Sequence, residues 1–406
     1  VDADADTYFG SFSNNGRFVA LSSVASNYGA DDGNDDIDIY VRDLVTGETE
    51  LISRDGDGNP GAVGSNYAAL SANGRWVLYV TSAANLAAGA ANGQQIMLHD
   101  RKTGVTTEVS TAPNGAPADA GSDNYTCRPL SGNGRWAVFE SDATNLVPGD
   151  LLGQKDVFLA DLRRGTLERI SNGVDGEADG PSRFASISAN GRWVAFLSDA
   201  TNLVEGDDNG FTDVFLYDTR KGTTVRVSEG ADGAESDGNS PEGYFGTAVV
   251  SNNGRWVAFV SSATNLVSGL DEDNGFNDVY LRDMRNGTTA LISSGPMGVP
   301  ADGAAYDIAI TPNGRFVLFD TDAGNLIDAA GMVPGDVIVH DVRTGTKRRL
   351  LEALGGGRPG LPTDAGYLSA NGLSANGRWM AVSSPAGNVV AGDTNGKIDV
   401  FRVDLK

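Results

Sequence analysis

The chain has 406 residues, and 54 acidic against 30 basic side chains give it a formal charge of −24. That balance excludes nucleic acid and anionic membranes as first partners, because both need a basic face. A single Cys (Cys127) excludes an internal disulfide framework and a Cys-rich zinc site, and two His (His99, His340) leave little for His-based catalysis.

The 54 Gly and 14 Pro point to many turns and few long helices. No apolar run reaches the ~18 residues of a membrane span, so no membrane insertion is expected. No signal peptide is visible, and the first residue is Val1, which fits a processed export signal or a chain boundary. A secreted, cell-surface or periplasmic location is the expectation.

An Asn-Gly-Arg tripeptide followed by an aromatic residue occurs seven times, with glycines at 16, 74, 134, 191, 254, 314 and 377. The spacing of 57 to 63 residues fills the chain and leaves no room for a second domain. Unit four is representative. Phe184–Ser188 is a short strand, Asn190-Gly191 a tight hairpin, and Trp193–Leu197 a second strand. A polar loop leads to a third strand, Asp213–Tyr217, and a second turn to a fourth, Thr224–Val227. Four antiparallel strands in each of seven units, without helical periodicity, predict an all-β fold. It is a single-domain seven-bladed β-propeller over residues 1–406. The blades fall near 8–53, 66–110, 125–171, 183–228, 245–293, 306–350 and 367–406. Unit seven ends after its third strand. Its blade therefore keeps three strands, or Val1–Asp6 seals it.

The run SxNGRWVAFxSxATNLVxGDxNGxxDVFLYDxxxG resembles the WD40-like repeats of TolB-type bacterial propellers, in all seven units. The resemblance implies the fold. It does not carry over TolB's role, because the amino-terminal domain of TolB is absent here and such propellers serve as scaffolds, binders and enzyme domains alike.

Within the repeat, Trp76, Trp136, Trp193, Trp256 and Trp379, with Phe18 and Phe316, are expected to pack between blades. The hairpin arginines (17, 75, 135, 192, 255, 315, 378) should pair with the Asp closing each third strand (43, 100, 161, 218, 283, 341, 404). Setting these neutral pairs aside leaves 47 acids against 23 bases. His99 and His340 precede two of those Asp residues and read as strand-surface residues.

The surplus acid falls in two loop families on the opposite face. The loop between strands two and three carries Asp-x-Asn-(Gly/Asp)-x-x-Asp. Candidate calcium ligands are Asp32, Asn34 and Asp38; Asp207, Asn209 and Asp213; Glu272, Asn274 and Asp278; and Asp393, Asn395 and Asp399. Alternating carboxylate and amide oxygens on a sharp turn suit the flexible coordination of Ca²⁺ better than octahedral Mg²⁺. The spacing resembles the later part of integrin-type calcium loops. The alternative is that Asp and Asn cap turns. In the loops joining the units, Asp4, Asp119, Asp179, Asp237, Asp302 and Asp364 complete such sites, ring the channel mouth, or cap turns.

Ligands of propellers bind where the first strands converge. The candidate mouth residues are Tyr8, Phe9, Tyr67, Tyr125, Arg128, Arg183, Phe184, Tyr244, Phe245, Tyr306, Asp307 and Tyr367, an aromatic collar with a few charges. The expected function is non-catalytic binding of a protein or glycan through this mouth and a calcium-stabilised acidic face. One alternative is a hydrolase or lyase using Asp307, Arg183 or Arg128, although no GxSxG or HExxH motif is present. The other is a structural surface or assembly component.

Overall fold

An Asn-Gly hairpin needs a left-handed backbone that glycine adopts at little cost. The seven hairpin glycines have φ between 66° and 75°. The computed structural model describes all residues except 1–3, 29–33, 126–127, 231–232, 241–247, 269–273, 328–331, 333–334, 351–371, 385–388, 390, 392–396 and 406. Units one to six each form a four-stranded antiparallel sheet with strands in chain order. In unit four these are Ser182–Ile187, Trp193–Ser198, Asp213–Asp218 and Thr223–Arg226. The first strand starts two residues before its expected position. A bulge between Arg183 and Ser186 breaks the two-residue alternation and hides the start.

Unit seven contributes Trp379–Ser384 paired with Asp399–Asp404, in the register of the second and third strands of every other unit. Its expected first strand lies outside the described residues. Ring closure repeats the bond that joins successive units. Thr7 N donates to Ile398 O at 3.1 Å, as Ser65 N does to Ile37 O and Ser182 N to Lys155 O, both at 2.7 Å. Asp6 adds a side-chain contact, accepting Ile398 N at 3.1 Å. The sealing segment is therefore the start of unit one's own sheet.

The aromatic residue after the hairpin arginine packs beneath the hairpin glycine of the next unit in six of the seven cases, whereas Gly377 faces Pro312 and Thr311 instead of Phe316. A Cβ on Gly74 would lie 2.6 Å from Phe18, and one on Gly16 would lie 2.7 Å from Trp379, so the series crosses the closure. Inside the blades, Phe139–Phe158, Phe196–Phe215 and Phe259–Tyr280 stack at 5.5, 5.8 and 5.7 Å.

All seven Arg–Asp pairs form, at 2.5 to 3.0 Å. Arg75 is bidentate, with Nε to Asp100 Oδ1 at 2.7 Å and Nη2 to Oδ2 at 2.6 Å. Each guanidinium also lies over the aromatic ring that follows it, 4.3 to 5.0 Å from the centroid. His99 and His340 are not on the surface. They are 0% and 8% exposed, because the neighbouring blade covers that face of the third strand. His99 Nδ1 meets Thr106 Oγ1 at 2.9 Å. Burial lowers both imidazoles, and His340, also beside Lys347, falls to about 4.

The hairpins close one end of the channel. Asn14 N bonds Ala72 O, Ala72 N bonds Gly132 O, and Gly132 N bonds Ala189 O, each at 2.8 Å. A Cβ on Gly132 would stand 2.9 Å from Ala375 Cβ of unit seven, so hairpins three units apart meet at the axis. The other end, where the first strands begin, is the mouth.

Candidate functional site: the channel mouth

The first strands reach the mouth through a repeated irregularity. The ladder skips at Tyr8/Gly10, Asn66/Ala69, Arg183/Ser186 and Tyr306/Ile308. Inside these bulges Tyr67, Phe184 and Asp307 have φ of 58°, 55° and 28°, a region that side-chain-bearing residues rarely occupy. Bulges and positive φ concentrate where a fold re-aims side chains for function. Three of the sequence-predicted mouth residues occupy these positions.

Tyr67 and Tyr125, from units two and three, meet edge to face with centroids 4.8 Å apart. Tyr125 Oη donates to Gln94 Oε1 at 2.8 Å. Both rings are half-buried, and burial pushes the Tyr67 hydroxyl up to about 12. Arg183 grips Asp199 with Nη1 at 2.8 Å and Nη2 at 3.1 Å, and Thr212 donates to the same carboxylate at 2.6 Å. Tyr306, 37% exposed, donates to Asp322 at 3.0 Å. Tyr8 donates to Asp6 at 3.2 Å. Arg128 is half-buried, and its carbonyl accepts Ile187 N at 2.9 Å. Tyr244, Phe245, Tyr367 and the Phe9 side chain lie outside the described residues.

Two acid pairs stand at this collar, and of their four residues sequence reasoning named only Asp307. In unit three, Asp123 stands opposite Glu140 in the ladder, and Lys155 Nζ bonds Asp123 at 2.5 Å. Glu140 Oε1 accepts Ala185 N, just after Phe184 in the next unit, at 2.9 Å. In unit six, Asp307 and Asp320 are 6% and 9% exposed. Burial and the neighbouring carboxylate, Asp123 for Glu140 and Asp307 for Asp320, hold both acids well above the usual carboxyl range. The signal was present in the repeat. The fifth residue of the second strand reads Ser22, Val80, Glu140, Leu197, Val260, Asp320 and Ser383. Two carboxyls therefore occupy a place that three other units fill with Val or Leu.

The acidic loops are internally bonded. Asn34, Asn209 and Asn274 donate through Nδ2 to Asp38, Asp213 and Asp278 at 3.0, 2.8 and 2.9 Å. Their Oδ1 atoms accept the amide two residues on at 2.9 to 3.0 Å, which is an Asx turn. Ser53, Ser228 and Ser293 donate to the second oxygen of the same Asp residues.

In three units an arginine from the fourth strand also enters. Arg169 lies 3.2 Å from Asp150 and 3.3 Å from Asp156; Arg226 lies 3.2 Å from Asp207; Arg349 lies 3.0 Å from Asp336. A metal ion in those three loops would have to displace a guanidinium. Asp32, Glu272, Asp393 and Asn395 lie outside the described residues, and Asp399 begins the last strand. Among the described residues no group of three or more His, Cys, Asp or Glu is arranged to hold a metal.

The joining-loop acids cap turns. Asp119, Asp179 and Asp237 each accept both N and Oγ1 of a threonine (144, 201, 264) at 2.7 to 2.8 Å. Asp4 does the same for Ser26 N and Oγ, at 3.0 and 2.7 Å, and Asp302 accepts Gly324 N at 2.6 Å. Asp364 lies outside the described residues.

The fold and mouth thus define a β-propeller with one end shut by its hairpins and the other lined by bulged strands. No family model matches the chain, and no curated protein matches it. Among solved structures, it is similar to the β-propeller domain of the trilobed protease from Pyrococcus furiosus, described as having an open velcro topology. The TM-score is 0.57 at 11% identity, over 100% of this chain and 95% of that one. It is also similar to an oligogalacturonate lyase in complex with manganese, with TM-score 0.55, 13% identity, and coverage of 100% and 90%. TolB from Acinetobacter baumannii aligns with TM-score 0.41 and 14% identity over 86% of this chain and 63% of that one. At these identities the likeness is one of fold. No helix among the described residues is long and apolar enough to cross a membrane.

Proposed function

We propose that the chain is a binding propeller that takes a neutral glycan at the channel mouth. The observation that carries this reading is the Tyr67–Tyr125 pair, which spans two units and stands beside the bulged strands. Aromatic rings offer flat apolar faces to sugar rings, and fixed polar groups around them orient hydroxyls. Arg183 and Lys155 are already paired with Asp199 and Asp123, so the mouth offers little excess positive charge to an anion. This separates the proposal from the similar lyase, whose named oligogalacturonate is anionic. The test is an array of neutral oligosaccharides and peptides. Tyr67→Ala and Tyr125→Ala should abolish glycan signal in chains that still unfold cooperatively. Signal on peptides alone would overturn the glycan reading.

A second reading, a hydrolase or lyase, has its own observation. Asp307 and Asp320 sit together in one unit, and burial with the repulsion between them raises the Asp320 carboxyl above its usual range, the direction a general acid requires. Turnover of a glycan that disappears in Asp307→Asn would favour it.

Calcium belongs to the proposal for the loops of units one and five. There the position of the intruding arginine is held by Leu51 and Leu291, opposite Tyr40 and Tyr280 as Arg226 is opposite Phe215. The fourth strands of units one and five therefore send no arginine into the loop from that place, as those of units three, four and six do.

A further inference from the structure

Between units four and five lies a cavity of about 920 Å³, whose lining reaches from Asp218 and Arg255 at the Arg–Asp end to Glu205 in the acidic loop. Trp193, Val225, Arg226, Glu229, Arg282 and Arg285 are among its lining residues. Neighbouring blades show why it is open. In units one and three the middle of the fourth strand carries Glu50 and Glu168, opposite Val41 and Leu159. Each reaches the next unit, Glu50 to Arg101 Nε and Glu168 to Tyr217 Oη, both at 2.9 Å. Unit four has Val225 in that place, opposite Leu216, and it is 45% exposed. Valine sends no acceptor across the groove.

The facing residue of unit five, Arg282, stands where Tyr217 stands in unit four. It is 6% exposed and is held by Glu229 O at 2.8 Å, Thr289 Oγ1 at 3.0 Å and Glu229 Oε2 at 3.1 Å. Arg226, 8% exposed, is held by Glu235 at 2.5 Å and Asp207 at 3.2 Å. In both, the buried Nε has no hydrogen-bond acceptor among the described residues. Glu229 Oε1 comes no nearer to Arg226 Nε than 3.7 Å.

Trp193 supplies a third unpartnered donor, its buried Nε1. Its indole is turned relative to three of its counterparts, while Trp379 also sets its Nε1–Cε2 edge toward the next glycine. Trp193 sets the Cε2 edge toward the glycine of the next unit, whereas Trp76, Trp136 and Trp256 set Cδ1 there. Three residues that line one cavity therefore each hold a buried N–H without an acceptor among the described residues, and two of these are guanidinium edges.

Buried donors normally find acceptors, so their convergence on one cavity points to a ligand that brings oxygen atoms. The guanidinium edge matches a carboxylate in charge and geometry. We propose that this cavity binds a carboxylate group, carried by a small organic acid or by an acidic side chain of a peptide. The site is separate from the channel mouth and does not depend on the glycan reading.

The experiment is calorimetric titration of the full chain with succinate, with an acetylated hexaglutamate peptide, and with inorganic phosphate. Val225→Glu restores the residue that units one and three carry at this place, so it should fold with a melting temperature at or above that of the parent chain. It should weaken carboxylate binding at least about tenfold by supplying the missing acceptor internally. Binding of succinate identifies a free acid as sufficient, and binding of the peptide alone identifies a chain-borne carboxylate. Absence of binding by both, equal binding of phosphate, or unchanged affinity in Val225→Glu would overturn the proposal.

Discussion

The carboxyl group of Glu140 accepts the amide hydrogen of Ala185 at 2.9 Å, across the interface between units three and four. Ala185 follows Phe184, which is held at φ 55° inside a bulge. The bulge takes this amide out of the ladder, and the neighbouring blade satisfies it. A buried acid therefore fixes the backbone of a mouth residue.

Replacing Glu140 separates these roles. Glu140→Gln keeps an acceptor oxygen and should leave stability nearly unchanged. Glu140→Leu, which copies Leu197 of unit four, strands the Ala185 amide and should cost about 1–3 kcal/mol in urea unfolding. The leucine variant should also lose mouth binding, because Phe184 is freed to relax.

The glycine that receives each aromatic ring can be compared with one that receives nothing. Gly74 and Gly104 share φ of 72°, but a Cβ on Gly74 meets Phe18 at 2.6 Å, while one on Gly104 meets nothing within 4 Å. Gly104→Ala should cost about 1–2 kcal/mol from the left-handed backbone alone. Gly74→Ala should cost a further ~1–3 kcal/mol from overpacking. Equal losses in denaturant would show that the ring contact contributes nothing.

The Arg–Asp pairs set the response to acid. Hydrogen bonding from its arginine holds Asp100 near 2, and Asp161 and Asp218 are likewise lowered by Arg135 and Arg192. A carboxyl with a depressed folded pKa adds stability above its unfolded value, near 3.8, and loses it as pH falls through the folded value. Melting temperature should therefore drop between about pH 4 and pH 2. Asp100→Asn should be less stable at neutral pH and show a shallower drop over that window.

Geometry as well as charge makes these pairs. Arg135→Ala should lower stability, and only modestly because the guanidinium is 36% exposed. Arg135→Lys should recover less than half, since an ammonium cannot fork onto Asp161 or stack on Trp136. Chemical denaturation of the three chains decides this.

Calcium should raise the melting temperature in proportion to ln(1 + [Ca²⁺]/Kd), and a chelator should reverse it. Asp38→Asn should remove part of the rise. Asp213→Asn should not, because Arg226 already serves the unit-four loop. No rise at millimolar calcium removes the metal from the proposal.

The repeat made much of this molecule readable in one dimension. Seven Asn-Gly turns, the strands they join and the Arg–Asp partners follow from local rules of turn geometry, alternation and charge. The mouth residues Tyr67, Phe184 and Asp307 were found because positions free of the fold's demands vary between units. Three things needed the folded chain. The bulges shift strand starts and give those residues positive φ, and no periodicity records a broken ladder. His99 and His340 are buried because a neighbouring blade covers them, which depends on inter-blade packing rather than on strand position. Glu140 looks like a polar intrusion into an apolar strand until Ala185 of the next unit is placed beside it, since the bond spans 45 residues. The charge of −24 belongs to the sequence; the tertiary fold decides which acids meet an arginine, a turn or each other, because that depends on which loops share a face.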